Sequence, residues 1–308
     1  MPTQGKPNLH CGCDAMLIQT FESHWQLARQ YAVRVFVLTI IFFTFIGDCL
    51  AGPQVMVTPT RVVFDKNTRS AKVTVINAGD QKGTYRIKII NKRMTVDGQF
   101  EDIKSPQEGE LFADKMIRFS PRQVELKPGQ SQVVRLSLRK PSGLEAGEYR
   151  SHILFQAIPE KAESGNKLDN LSNKKTISIQ LTAIISISIP VIVRHGDTSA
   201  TVAFSSIKYN PAIEKDKLPI LRLELERKGN RSVYGDLLAE FVDTNGNSNV
   251  VSQAKGVAVY SPNKIRTFTM NLKPPIGTEL KNGMLIVYYR SPVQQGNKVL
   301  AKTQIKIP

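Results

Sequence analysis

The chain has 308 residues, 41% of them hydrophobic and 22% charged, with a formal net charge of +16. That length accommodates about two domains with real cores, and that composition excludes a disordered or collagen-like chain. The positive excess lies outside residues 1–51, where Lys6, Arg29 and Arg34 are matched by Asp14, Glu22 and Asp48. It is interspersed through alternating apolar segments instead of forming one basic stripe, which argues against nucleic-acid binding.

Residues 35–47, VFVLTIIFFTFIG, form an uncharged apolar run preceded by Arg29 and Arg34 and followed by Cys49-Leu50-Ala51. The run is shorter than the roughly 20 residues of a spanning helix, and Cys49-Leu50-Ala51 has small residues at its first and third places. It reads as a secretory signal peptide cleaved near Ala51, with Met16 as an alternative start. An exported mature chain of residues 52–308 is expected, with no membrane insertion of its own. Cys11, Cys13 and Cys49 all precede residue 52. The mature chain therefore has no disulfide, no thiol nucleophile and no thiolate metal site.

Beyond residue 52 the pattern is of short strands and turns. Residues 55–64, VMVTPTRVVF, read as a strand, and Pro59 within it marks an edge or a switch between sheets. Residues 70–77 alternate cleanly, and a turn follows at Asn77-Ala78-Gly79-Asp80. Residues 84–94 alternate again and end at the Asp97-Gly98 turn, after which residues 101–115 are polar and irregular. Short strands are expected over 116–119, over 132–138 after the Lys127-Pro128-Gly129 turn, and over 148–158. Residues 159–175, PEKAESGNKLDNLSNKK, form a long polar loop.

That loop leads into residues 176–194, TISIQLTAIISISIPVIVR. The odd positions from Ile177 through Ile179, Leu181, Ala183 and Ile185 to Val193 are all apolar, while the even ones are mostly Ser, Gln or Thr. This is period 2, a strand with two unlike faces, on the order of 55 Å long where ordinary strands have roughly 5–6 residues. It serves either as a long core strand or as a strand lent to another polypeptide. His195-Gly196-Asp197 breaks the pattern and reads as a tight hinge. A second all-β set follows over 201–209, 218–227, 233–242, 256–260, 265–272, 284–289 and 299–307. The expected fold is all-β: two immunoglobulin-like β-sandwiches, over 52–194 and 198–308, after a leader of 1–51.

No P-loop, GxSxG elbow, HExxH or dinucleotide fingerprint is present, so no enzyme, metal or cofactor is expected. His152 and His195 are too far apart in sequence to form a set, and each reads as a satisfied structural or surface group. Arg61 stands out because it sits inside an apolar strand. It is either an outward-facing arginine or a guanidinium held at a cleft for a carboxylate.

The ordered segments TRVVFDKNTRSAKVTVINAG, TYRIKIINKRM, FSPRQVELKPGQSQVVRLSLR and GEYRSHILFQAIPE, followed by the long alternating strand, resemble the periplasmic pilus-assembly chaperones of chaperone–usher systems (PapD-like). The resemblance covers residues 54–195. It implies two immunoglobulin-like domains set as a boomerang. It also implies a chaperone that binds pilus subunits by donor-strand complementation and passes them to an outer-membrane usher. Ile177, Ile179, Leu181, Ala183 and Ile185 then become the donor side chains. Arg61 matches the family's first-strand arginine, which with a lysine anchors the subunit's C-terminal carboxylate. The lysine's position falls here at Pro190, so Arg61 acts alone, another cation such as Arg118 or Lys92 substitutes, or the carboxylate is held differently. Glu148 and Arg194 match two members of the family's interdomain salt bridge. A homodimer in the absence of a client would cap the free edge. The competing reading is a secreted structural or adhesive module with no client.

Overall fold

In the computed structural model the described residues are 54–103, 105–159, 184–212 and 217–308. The expected leader and cleavage point at Ala51 lie outside them, as do Ile177, Ile179, Leu181 and Ala183. Among the described residues no helix is long and apolar enough to cross a membrane.

The alternating segments become strands whose buried positions follow the alternation. In the first half these are β1 (Val55–Thr58), β2 (Val62–Phe64), β3 (Ser70–Asn77), β4 (Gly83–Ile90), β5 (Lys92–Met94), β6 (Phe100–Asp102), β7 (Ile117–Ser120), β8 (Gln123–Leu126), β9 (Ser131–Leu138), β10 (Gly147–Ile158) and β11 (Ser186–His195). They build two facing sheets, ordered β1-β3-β9-β7 and β2-β11-β10-β4-β8, while β5 and β6 pair as a separate hairpin. Val73, Val75, Val134 and Leu136 from one sheet meet Tyr85, Ile87, Ile153, Phe155 and Val191 from the other in a continuous core. Each buried aliphatic side chain contributes on the order of 1.5–3 kcal/mol.

The second half holds β12 (Ala200–Asn210), β13 (Ile220–Gly229), β14 (Val233–Val242), β15 (Ser248–Val259), β16 (Ile265–Asn271), β17 (Gly283–Arg290) and β18 (Val299–Ile307), with a 3-10 turn at Val293–Gln295. Their sheets run β12-β13-β16 and β15-β14-β17-β18 around a core of Leu221, Leu223, Phe241, Val257, Leu285 and Tyr289. The strand β14 is buried at every second residue along its length, as its sequence requires. Both halves are immunoglobulin-like sandwiches. At the junction Gly196 takes φ +63°, and a Cβ there would lie 2.6 Å from the Cβ of Ala146, so the turn admits little but glycine.

Three strand boundaries differ from expectation. Residues 55–64 are two strands, not one: Pro59 has no N–H to continue the ladder, and the chain crosses from the edge of one sheet (β1) to the edge of the other (β2). Residues 84–94 break after Ile90, and β5 turns at Asp97-Gly98 to pair with β6 inside the stretch expected to be irregular. The strand β15 begins at Ser248, well before the expected residue 256, and pairs with β14 through two register shifts.

Candidate functional site

Most strands of the first sandwich have one face in the core and one exposed, but β10 does not. From Gly147 to Ile153 it is buried on both faces. Its inner residues Tyr149 and Ile153 join the core, while Glu148, Arg150 and His152 point the other way, toward the second sandwich. The register with neighbouring strands arranges this outer face in rows. Val63 on β2 pairs with Ile192 on β11, which pairs with Arg150 on β10. One step along, Arg194 pairs with Glu148, and Asp65 lies beyond the end of β2. One step the other way, Pro190 pairs with His152, and Arg61 lies just before the start of β2.

The row of Asp65, Arg194 and Glu148 is electrostatically closed. Arg194 donates through Nε to Glu148 Oε2 at 3.1 Å and through Nη1 to Asp65 Oδ2 at 3.2 Å. Glu148 then accepts the backbone N–H of Ser232, in the second sandwich, at 3.1 Å. The Glu148–Arg194 pair is therefore not itself interdomain, because both residues belong to adjacent strands of one sheet. In this row the junction is crossed by the bond from Ser232.

The middle row is apolar at its centre. Ile192 is fully buried against Met94 and against Ala258 and Tyr260 of the second sandwich, with Val63 and Tyr234 alongside. Although it breaks the apolar-odd pattern of the long strand, it is thus a junction residue. The hairpin of β5 and β6 reinforces the contact. Asn263 donates to the carbonyl of Met94 at 2.8 Å, and the N–H of Thr267 donates to that of Val96 at 2.8 Å. Arg93 holds the hairpin's base with a two-bond pair to Glu110, at 2.6 and 2.8 Å, and that pair keeps the Glu110 carboxyl below the usual carboxylate range.

Arg61 lines a cleft of about 1150 Å³ between the sandwiches, together with Asp65, Thr201, Ser232, Tyr234 and Lys255. Its guanidinium lies 4.4 Å from the ring centre of Tyr234 and 5.8 Å from that of Tyr260, and Nη2 donates to Ser232 Oγ at 3.3 Å. Its Nε is buried without a partner. Arg150 also packs on Tyr260, 4.4 Å from that ring's centre and 5.7 Å from that of Phe100. Its Nη2 donates to the carbonyl of Lys92 at 3.2 Å, while Nε and Nη1 are buried and unpartnered. His152, whose ring meets Phe100 edge-on at 5.0 Å, is likewise buried with neither nitrogen bonded. Burial, reinforced by the Arg150 and Lys92 charges, pushes its pKa down to about 3. The expectation of a satisfied histidine is corrected: neither ring nitrogen has a partner, and burial beside two cations holds the ring neutral.

Of the other cations weighed against the missing lysine, Arg118 lies exposed on β7 in the opposite sheet and donates to the carbonyl of Lys115. Lys92 is paired with Asp102 at 2.8 Å. Neither shares a row with Arg61. Arg150 and His152 escaped sequence reasoning. Their trace is the polar face Glu-x-Arg-x-His of residues 148–152, which on an isolated strand reads as solvent-facing.

The long strand leaves its sandwich unfinished. Along one edge β11 pairs with β10 from Ser186 to His195, but along the other it pairs with β2 only at Val191–Val193. Among the described residues nothing pairs with Ser186–Pro190 on that side. Ile187, Ile189, Val191 and Val193 pack on the core. Ile185, on the same parity, is 42% exposed and lies just before the strand, its carbonyl accepting from Ala157 at 2.9 Å.

Residues 54–194 match the family described as pili and flagellar-assembly chaperone, PapD N-terminal domain. Similar folds include the class 5 fimbriae chaperone CfaA, at 14% identity over 83% of this chain and 100% of that one, with a TM-score of 0.40. The CsuC–CsuE chaperone–tip adhesion subunit pre-assembly complex from archaic chaperone–usher Csu pili of Acinetobacter baumannii matches at 12% over 82% and 98%, with a TM-score of 0.40. The Salmonella enterica SafA pilin in complex with the SafB chaperone matches at 14% over 82% and 96%, with a TM-score of 0.39. No curated protein matches the chain.

Proposed function

With its domain of residues 54–194 belonging to the PapD-like pilus-assembly chaperones, we propose that this chain is a periplasmic chaperone that binds pilus or fimbrial subunits by lending them its long strand. In this reading it keeps those subunits from aggregating and delivers them to an outer-membrane usher. The domains are residues 52–194, carrying the donor strand 176–194, and residues 198–308.

The observation that carries this reading is the edge of β11 at Ser186–Pro190, unpaired among the described residues and continuous with an apolar parity that loses its cover at Ile185. An open backbone edge beside exposed apolar side chains is what a subunit lacking one strand can complete. Continued toward the N-terminus, the same parity offers Ile177, Ile179, Leu181, Ala183 and Ile185 to an apolar groove. The four large ones supply on the order of 6–12 kcal/mol before ordering costs. A slip of one residue would present Ser178, Gln180 and Thr182 instead, so the register is strongly specified. Arg61, in the wall of the cleft, serves as the anchor for the subunit's carboxylate.

The test is co-purification from periplasmic extract of cells expressing the fibre, comparing the tagged wild type with the double variant Ile179→Asp/Leu181→Asp. Loss of a stoichiometric β-rich client, with thermal unfolding unchanged, is expected. A client held equally by both proteins rules out donation along this strand. No client with either protein favours the structural module.

A further inference from the structure

We propose that the outer face of the sheet β15-β14-β17-β18 is an interface between two copies of this chain, packed face to face about a two-fold axis running along β17. It uses none of the residues assigned above to a client. Residues 284–289, Met-Leu-Ile-Val-Tyr-Tyr, are apolar without a break. That is the composition of a strand covered on both faces, where a sandwich strand with one wet face alternates. Leu285, Val287 and Tyr289 fill the core. Met284, Ile286 and Tyr288 point the other way and are half-buried, and among the described residues they belong to no core.

The register widens this strip. On one side Met284 pairs with Val242, Ile286 with Glu240 and Tyr288 with Leu238, all on β14. Beyond Glu240 lies Val250 on β15, 51% exposed. On the other side Met284 pairs with Lys306, Ile286 with Gln304 and Tyr288 with Lys302, all on β18. Arg290 and Lys302 stack on the Tyr288 ring at 4.4 and 5.2 Å, so the barest apolar ground is Val242, Met284, Ile286 and Val250.

The face is therefore striped, with a carboxylate on β14, apolar side chains on β17 and ammonium groups on β18. Two strand spacings, about 9.6 Å, separate the Glu240 column from the lysine column. Among the described residues none of Glu240, Lys302 and Lys306 has an ion-pair partner. Such a stripe is complementary to itself, as an isologous interface requires. Rotation about an axis along β17 lays β17 on β17 and sets β14 of each copy over β18 of the other. Glu240 of one copy then meets the Gln304 row of the other, one step from both lysines and within reach of their side chains. Sheets packed in this aligned way cross at about 30°. The lysines also discourage a second copy from pairing along the open β18 edge, which leaves the face as the surface to cover. Eight residues on four strands span on the order of 500 Å² in plan, so two copies cover about 1,000 Å² together. That is the low end of specific interfaces, and a dissociation constant in the micromolar range is expected.

The test is sedimentation velocity of the full mature chain from about 1 μM to about 100 μM, which brackets that range. The wild type should pass from monomer to dimer. Ile286→Asp should weaken association at least tenfold. Glu240→Lys should do the same, and so should Lys302→Glu/Lys306→Glu, because each sets like charges against each other across the axis. These two charge variants alter exposed ends of side chains and serve if Ile286→Asp fails to fold. Mixed together they should form a heterodimer with roughly the wild-type constant, since both ion pairs are then restored with opposite sense. A wild type that stays monomeric throughout overturns the proposal. So does a dimer that survives all three variants, or one that is lost instead in Ile179→Asp/Leu181→Asp, which would place the contact on the long strand. Folded charge variants that stay monomeric when mixed overturn the two-fold along β17.

Discussion

Replacing His152 with leucine should remove a specific part of the protein's acid sensitivity. In the folded chain the ring is buried and unbonded, and that burial, reinforced by the charges of Arg150 and Lys92, depresses its pKa from 6.5 to about 3. In the unfolded chain it titrates near 6.5. Between those values the unfolded state binds the extra proton, so stability is fully present above pH 6.5 and is lost as the pH falls toward 3. The slope is about 1.4 kcal/mol per pH unit, which integrates to roughly 2 kcal/mol between pH 7 and pH 5. For a chain of this size that corresponds to a fall in Tm of about 4–8 °C. The assay is thermal unfolding of wild type and His152→Leu at each pH from 7.5 to 4.5, read as the difference between the two. Groups that titrate alike in both proteins cancel in that difference. The variant should lose markedly less Tm than the wild type over this range, whatever its absolute stability at pH 7. Parallel curves would refute the reasoning, because they would mean that the folded ring titrates as freely as the unfolded one.

The closed row makes an asymmetric prediction. Glu148→Ala removes a 1%-exposed carboxylate that holds both Arg194 and the Ser232 N–H, and should cost about 3 kcal/mol in urea unfolding, whereas Asp65→Ala, with its side chain 47% exposed, should cost less than about 1 kcal/mol. Equal costs would mean that the bond to the second sandwich adds nothing. Ile192→Ala should lose about 2–5 kcal/mol, and because Ile192 packs against Ala258 and Tyr260 it should also split the calorimetric transition by uncoupling the sandwiches. A single transition shifted intact would assign the coupling to the hairpin contacts instead.

The sandwiches were legible wherever alternation was clean and one face was wet. Residues 70–77, 233–242 and 299–307 were read with the bounds they have. What escaped was short or polar. The strand β8 alternates but has only four residues, the first half of β15 buries too little to leave a period, and β5–β6 hides in a charged stretch. At the site, Arg61 was conspicuous because it interrupts an apolar strand. Arg150 and His152 were not, because a polar face on an alternating strand ordinarily meets water. Their burial comes from Tyr260 and Phe100, 110 and 52 positions away from Arg150 and His152 respectively. A one-chain pattern carries no record of which distant element will cover a face.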